Sequence, residues 1–213
     1  MRESNFYPKL LLSVEELLKN FSSIPEKRKI ELEKIAEILK QTLLDTNKVE
    51  MIFICTHNSR RSHLAQIWTT LASKYFGINN FYTYSGGTES TEFNHRCVKA
   101  LTSVGFHINA TTIGINPTYI CKYNETEESI TVFSKIYNDS SNPKDNFIAI
   151  MVCTDADDEC PFVIGAKHRI SLPYDDPKLY DNTELEESKY SERNKQIGTE
   201  MLYMISSLKN LLS

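Results

Sequence analysis

The sequence predicts an α/β domain built on a doubly wound parallel sheet of four strands. Two runs, residues 49–54 and 147–152, are almost continuously apolar, as is typical of central strands that are covered on both faces. Apolar residues at helical spacing follow the first run, over residues 64–76. Strand patterns then alternate with helix patterns along the chain, and this alternation favours a parallel sheet with helices on both faces.

The sheet domain is predicted to span residues 48–213. Its four strands are expected at residues 49–54, 81–84, 147–152 and 168–172. Gly77 should end the helix over residues 64–76, and Gly105 should end a second helix that begins near Cys97. A helix that closes the chain carries its apolar residues on one face, at Ile197, Met201, Ile205, Leu208 and Leu212.

Two segments are expected to lie outside this minimal sheet. Residues 1–47 read as a helical extension of two helices, each starting at a capping box, with Ser13 and Ser23 as the capping residues. A packed hairpin is the favoured interpretation and a partner-binding or dimerising arm is the alternative. The apolar stripe that would dock the second helix consists of Leu32, Ile35, Ala36, Leu39 and Leu43.

An insertion is predicted between about residues 110 and 145. Residues 119–123 and 130–133 have strand character and can pair as a hairpin across the turn at residues 124–127. Residues 140–144 then form a polar loop that should be exposed.

Composition excludes several classes of function. The chain has 213 residues, a formal net charge of −4 and no block of like charges that would form an interaction tail, so no electrostatic binding of nucleic acid or anionic lipid is expected. No apolar segment reaches the length of a membrane span and no secretion signal is recognisable, which predicts a cytoplasmic protein. No cofactor or metal is predicted, because the histidines are scattered, at His63, His95, His107 and His168.

The strongest signal for chemistry is the stretch from Cys55 to Ser62. It places a cysteine after a buried strand and Arg61 before a helix, in the spacing Cys-x5-Arg. Backbone N–H groups in such a loop, together with the helix N-terminus, form a site for a tetrahedral oxyanion and favour the thiolate of Cys55. Arg61 can hold two oxygens with its planar guanidinium, and Ser62 can donate a hydrogen bond to the sulfur.

This loop resembles the phosphate-binding loop of the low-molecular-weight protein tyrosine phosphatases and of the thioredoxin-coupled arsenate reductases that share their fold. The family pattern is Cys, x, Gly, Asn, x, Cys, Arg, Ser, and this chain keeps Cys55, Asn58, Arg61 and Ser62. The resemblance implies a phosphotyrosine phosphatase I-like sheet and substrate binding by Thr56, His57, Asn58, Ser59, Arg60 and Arg61.

Two loop positions depart from the family pattern. His57 replaces the glycine, so a loop that needs positive φ there should be strained or rearranged. Arg60 replaces the second cysteine, so redox protection by a neighbouring thiol is lost. His57 is expected either to contact substrate or to point to solvent.

Asp176 is the candidate general acid. Asp175-Asp176-Pro177 resembles the Asp-Pro loop of the family, in which the acid protonates the leaving oxygen. Asp176 directly precedes the proline, although the sequence leaves Asp175 open as an alternative.

Two further cysteines decide between the two activities. The segment from Cys153 to Cys160 resembles the redox segment of the arsenate reductases and is expected to be a loop beside Cys55. The resemblance implies a relay in which Cys55 binds arsenate, Cys153 attacks Cys55, Cys160 attacks Cys153, and thioredoxin reduces the final disulfide. Cys97 and Cys121 are interpreted as structural.

Three functions therefore stay open from the sequence. The favoured one is thioredoxin-coupled arsenate reduction. The second is phosphatase activity on phosphotyrosine or another phosphomonoester, through Cys55, Arg61 and Asp176. The third is a non-catalytic module that binds phosphate or senses oxidation. Tyr82 and Tyr84 could line a phosphotyrosine cleft, but packing is the favoured role for them.

Overall fold

The computed structural model describes residues 6–126, 129–160 and 162–213. The strands are β1 (Val49–Cys55), β2 (Phe81–Gly87), β3 (His107–Ala110), β4 (Tyr119–Lys122), β5 (Ser129–Val132), β6 (Phe147–Met151) and β7 (Ala166–Ser171). The α-helices are α1 (Pro8–Lys19), α2 (Glu26–Thr46), α3 (Arg61–Tyr75), α4 (His95–Ser103), α5 (Thr154–Glu159) and α6 (Glu186–Leu211). Short 3-10 turns cover Asn20–Ser23 and Pro177–Tyr180.

The central sheet confirms the predicted fold class. Its strand order is β2-β1-β6-β7 and all three pairings are parallel. Ile54 pairs with Met151, so β1 and β6 end side by side. Their carboxyl ends deliver Cys55 and Cys153 to the same edge of the sheet, where open α/β sheets place their sites.

The N-terminal helices form, but not at the predicted caps. α1 begins at Pro8, a residue whose fixed φ suits the first helical turn, so Ser13 lies inside the helix. Ser23 donates its hydroxyl to the Asn20 carbonyl at 2.7 Å, and Pro25 caps α2 without a side-chain hydrogen bond. Both capping-box predictions are therefore wrong.

The apolar stripe of α2 is buried as predicted. Leu32, Ile35, Ala36 and Leu39 have at most 1% of their surface exposed, and they belong to the same hydrophobic core as the central sheet. α2 packs against α6 and β1, so the described part of the extension is docked on the sheet domain.

The insertion contains the predicted hairpin and one further strand. β4 pairs antiparallel with β5, and β3 adds to the other side of β4. β3 was not predicted, because it has only four residues. Glu127 of the predicted turn lies outside the described residues. The following loop is less exposed than predicted, because Asn142 is buried and donates to the Ser85 carbonyl at 3.0 Å.

Two predictions at the carboxyl-terminal side need correction. The segment after Cys153 is a helix, α5, because the Cys153 side chain caps it and acidic residues in its first turn suit the helix N-terminus. Leu212 lies beyond the end of α6 and is 39% exposed, unlike the other four predicted apolar residues of that helix. Among the described residues, no helix is long and apolar enough to cross a membrane.

Candidate active site

The candidate nucleophile lies at the end of β1. Cys55 is 3% exposed and its Sγ is 3.1 Å from the Oγ of Ser62, in the first turn of α3. Residues 56–60 connect the two elements as an irregular loop. Gly87 at the end of β2 permits this loop to pack closely, because a Cβ there would lie 2.6 Å from the carbonyl oxygen of Thr56.

A chain of hydrogen bonds orients the Ser62 hydroxyl toward the sulfur. Asn58 donates from Nδ2 to Ser62 Oγ at 2.9 Å, so the proton of Ser62 is free to point to Cys55. The Oδ1 of Asn58 in turn accepts from the backbone N–H of Lys135 at 2.8 Å. Lys135 was missed from the sequence because it follows Asn58 by 77 residues and no local motif joins them.

Of the two outcomes predicted for His57, strain or a rearranged loop, the strain is not found. The left-handed residue of the loop is Asn58, with a φ of 44°, whereas His57 is not among the described residues with positive φ. Asparagine tolerates this region better than most residues. The His57 side chain is 39% exposed and its Nε2 lies 3.7 Å from a carboxylate oxygen of Glu89.

The loop encloses a small pocket that offers several donors. Arg61 donates from Nη1 to the Tyr174 carbonyl at 3.0 Å, while its Nε is buried and has no hydrogen-bond partner among the described residues. In the described part of the chain, no backbone N–H of residues 57–61 donates to another protein group. These donors suit a tetrahedral oxyanion. The pocket is lined by Cys55, His57, Ser59, Arg60, Arg61 and Asp176.

Asp176 lies in this pocket between two guanidinium groups. Arg60 Nε is 2.7 Å from Oδ1 of Asp176, and Arg61 Nη2 is 2.8 Å from Oδ2. Burial acts to raise the pKa of Asp176, but hydrogen bonds and the charges of both arginines outweigh it and hold the pKa below its usual value. The carboxylate is therefore ionised in this conformation. Asp175 instead extends outward, with its side chain 91% exposed, and pairs with Arg193 at 3.2 Å.

Cys153 lies next to the loop, two residues after the end of the neighbouring strand β6. It is fully buried, and its Sγ is 3.5 Å from the Oγ1 of Thr56, the residue after Cys55. The Cys153 sulfur also accepts from the backbone N–H of Ala156 at 3.4 Å, as the cap of α5. The structure thus brings the thiol of Cys153 to the rim of the candidate site.

Cys160 is separated from Cys153 by the length of α5. Two residues seven positions apart along a helix are separated by a rise of about 10 Å, whereas the Cα atoms of a disulfide lie about 4.4–6.8 Å apart. Cys160 is partly exposed, and its carbonyl accepts from Arg169 Nε at 2.9 Å. A disulfide between these cysteines therefore requires α5 to unwind.

The remaining cysteines and histidines show no sign of a second reactive centre. Cys97 and Cys121 are buried, and burial raises the pKa of both thiols. His63 is buried too, and burial lowers its pKa well below the ordinary value, so the ring is neutral. Within the described ranges, no group of His, Cys, Asp and Glu has the arrangement of a metal site.

Comparisons with known proteins point to one family. No protein-family model matches the chain. An arsenate reductase from Bacillus subtilis (strain 168) is 31% identical over 147 residues, which are 69% of this chain and 86% of that protein. An arsenate reductase from Bacillus cereus (strain AH187) is 29% identical over 131 residues, 62% of this chain and 78% of that protein.

Solved structures agree on the fold. The crystal structure of a YwlE mutant from Bacillus subtilis matches with a TM-score of 0.53 and 13% identity, over 76% of this chain and 99% of that one. A low-molecular-weight phosphotyrosine phosphatase from Vibrio cholerae O395 matches with a TM-score of 0.51 and 12% identity, over 75% of this chain and 95% of that one.

Proposed function

The chain belongs to the arsenate reductase family, and on that premise we propose that it reduces arsenate to arsenite through the thiols of Cys55, Cys153 and Cys160. The observation that carries the proposal is the position of Cys153. Its sulfur touches Thr56, which directly follows the candidate nucleophile. Water can resolve the covalent intermediate of a phosphatase, whereas the reduction of arsenate needs a second thiol.

The first step is the attack of Cys55 on arsenate. The oxyanion binds to the guanidinium of Arg61 and to the free N–H groups of residues 57–61. The Cys55 thiolate, held by Ser62, forms a sulfur–arsenic bond, and one oxygen leaves arsenic as water after protonation. Arsenate first has to displace the Asp176 carboxylate from the two arginines.

The second step transfers two electrons to arsenic. The Cys153 thiolate attacks the Cys55 sulfur, so a disulfide forms as the sulfur–arsenic bond breaks. The bonding pair stays on arsenic, which leaves as arsenite. The parallel pairing of β1 with β6 supports this step, because it places both cysteines at one edge of the sheet.

The third step regenerates Cys55. The Cys160 thiolate attacks Cys153 and releases the Cys55 thiolate, leaving a disulfide between Cys153 and Cys160. Unwinding of α5 brings these two residues within bonding distance. An external dithiol then reduces the disulfide. We assign this role to thioredoxin and place the reaction in the cytoplasm, where thioredoxin keeps thiols reduced.

Phosphatase activity is the alternative, and one observation favours it. Asp176 lines the same pocket as Cys55, where a general acid would have to lie. It would have to leave the two arginines and take up a proton before it could donate one. The role of Asp176 as general acid stays a prediction. The non-catalytic alternative is not retained, because the chain belongs to a family of enzymes.

Replacement of Cys153 separates the two activities. Arsenite formation would be measured with thioredoxin, thioredoxin reductase and NADPH, and hydrolysis of p-nitrophenyl phosphate would be measured on the same preparations. We expect Cys153→Ser to abolish arsenite formation and to leave aryl phosphate hydrolysis unchanged. Cys160→Ser should yield one arsenite per chain and stop at a Cys55–Cys153 disulfide, which mass spectrometry detects.

Cys121→Ala is the matched control, because Cys121 is buried in the antiparallel sheet and has no part in the relay. It should retain both activities. Continued arsenate turnover by Cys153→Ser would disprove the relay.

A further inference from the structure

A second pocket lies between α3, β2 and the antiparallel sheet. It has a volume of about 570 Å³ and shares no lining residue with the pocket at Cys55. We call it the Lys135 pocket. The residues that matter for its chemistry are Gln66, Tyr82, Tyr84, Phe133 and Lys135.

The unusual feature of this pocket is a buried lysine without a counterion. Lys135 is 6% exposed, and its Nζ lies 4.5 Å from the centre of the Phe133 ring. Among the described residues, Nζ has no hydrogen bond and no ion pair. Asp139 is the carboxylate whose charge acts on Lys135, but its oxygen accepts from Ser141 instead, at 2.7 Å. Buried charges are normally paired, so this ammonium lacks an expected partner.

Gln66 supplies a second group without a partner. It is 4% exposed, and its Nε2 donates to the Thr83 carbonyl at 3.2 Å. Its Oε1 is buried and has no hydrogen-bond partner among the described residues. A ligand in the Lys135 pocket can therefore supply an anion to the Lys135 ammonium and a hydrogen-bond donor to Oε1 of Gln66.

The walls of the pocket are aromatic. Tyr82, Tyr84 and Phe133 line it, and Tyr82 is 47% exposed although it is a large ring. The hydroxyl of Tyr84 donates to Glu50 Oε1 at 3.3 Å. Flat apolar surfaces beside the ammonium of Lys135 and the Oε1 acceptor of Gln66 suit a planar ring that carries an anionic group and a hydroxyl.

We propose that the Lys135 pocket binds a small aromatic carboxylate, whose carboxylate pairs with Lys135 and whose ring lies among the aromatic side chains. A hydroxyl on the ring donates to Gln66 Oε1. Burial lowers the pKa of Lys135 to about 8, as expected for a cation that has no anion beside it. The proposal does not depend on arsenate reduction, because no side chain that lines this pocket contacts the substrate in that reaction.

The pocket is connected to the candidate active site through one residue. The backbone N–H of Lys135 donates to Oδ1 of Asn58, and Nδ2 of Asn58 donates to the Ser62 hydroxyl. The Ser62 hydroxyl in turn contacts the Cys55 sulfur. A ligand that pairs with Lys135 is thus two hydrogen bonds from the residue that contacts the nucleophile.

The test uses 4-hydroxybenzoate as the probe and 4-hydroxybenzamide as its neutral counterpart. Both are titrated into the full chain at pH 7, with affinity measured by calorimetry and the contact site by ¹⁵N chemical shifts. We expect the benzoate to bind more tightly than the benzamide and to shift the side-chain amide signal of Gln66. Lys135→Met should weaken benzoate binding by about tenfold or more, because it removes a charged hydrogen-bond donor.

Two controls keep the result interpretable. Lys209→Met removes an exposed lysine at the end of α6 and should leave the affinity unchanged. Gln66→Glu places a carboxylate in the pocket beside the probe and should block binding even if Lys135→Met folds poorly. Equal affinity of the wild type and Lys135→Met, equal affinity for the two probes, no binding to the wild type, or shifts confined to residues 56–61 would each overturn the proposal.

Discussion

Three buried cations near the loop differ in how their charge is balanced. Arg60 and Arg61 share the carboxylate of Asp176, and the pKa of Arg60 is raised because the hydrogen bonds and charge of Asp176 outweigh its burial. Lys135 has no such partner among the described residues, and burial lowers its pKa to about 8. The carboxylate of Asp176 therefore occupies the site between the two arginines that the oxyanion would take in the proposed reaction. Lys135 is instead expected to reduce the stability of the fold.

This difference predicts a pH dependence of stability. The pKa of Lys135 falls from 10.5 to about 8 on folding, so the unfolded chain binds more protons between these values. The contribution of Lys135 to stability should rise with pH across this window, by up to about 3 kcal/mol. At pH 7, Lys135→Met should therefore be more stable than the wild type, and most of this advantage should be lost by pH 10.

Urea denaturation of dialysed protein at pH 7 and pH 10 measures this difference. Lys209→Met serves as the reference, since an exposed lysine should show no pH-dependent difference from the wild type. A gap between wild type and Lys135→Met that stays constant with pH would contradict the prediction.

At the scale of elements, α5 separates the thiols of Cys153 and Cys160, which the proposed relay has to join. The helix has six residues, and Arg169 of β7 contacts its carboxyl-terminal half. The Nη2 of Arg169 is 2.6 Å from Asp157 Oδ1, and its Nε donates to the Cys160 carbonyl at 2.9 Å. These contacts stabilise the separation of Cys153 from Cys160 that the proposed relay has to overcome.

Loss of the Arg169 contacts should make α5 unwind more readily. We expect Arg169→Met to accelerate formation of the Cys153–Cys160 disulfide by diamide about tenfold, because hydrogen bonds from a charged group are lost. Thiol alkylation and mass spectrometry give the rate, and hydrogen exchange of α5 amides gives an independent measure of unwinding.

Lys167→Met is the matched control on the same strand, since the ion pair of Lys167 with Asp45, at 3.5 Å, is exposed and does not involve α5. Its rate of disulfide formation should equal that of the wild type. Equal rates for Arg169→Met and the wild type would show that Arg169 does not restrain α5.

At the scale of the whole molecule, the N-terminal extension supports the candidate active site. Arg28 of α2 donates to Glu200 of α6 at 2.7 Å and to the Pro173 carbonyl at 3.2 Å. Its guanidinium lies 4.7 Å from the centre of the Tyr174 ring. The Tyr174 carbonyl accepts a hydrogen bond from Arg61, so a continuous set of contacts runs from the extension to the pocket at Cys55.

Loss of this contact should destabilise the entire chain. Arg28→Met leaves Glu200, which is 3% exposed, buried without its cation, and we expect a loss of about 3 kcal/mol in the free energy of unfolding. Lys29→Met breaks only a pair with the exposed Glu26, so it should change stability by less than about 1 kcal/mol. Urea denaturation measures both values, and similar losses in the two variants would refute the role of Arg28.

The sequence by itself determined the sheet, most of the helices and the cysteine loop. Apolar periodicity and the motif from Cys55 to Ser62 are local, so both can be recognised from residues that are close together in the chain. The division into an extension and a sheet domain, and the chemical roles of Cys153 and Cys160, stay predictions. Local patterns misplaced the helix caps at Ser13 and Ser23, because Pro8 and Pro25 define the helix starts.

Only the tertiary structure decided which distant residues complete the site. Lys135 meets Asn58 across 77 residues, and Asp176 meets Arg60 across 116. Such contacts depend on how the sheet, the insertion and the extension pack, and no spacing along the chain encodes them. The same packing leaves the ammonium of Lys135 buried without a carboxylate, because the charge balance of a buried group depends on its neighbours in space.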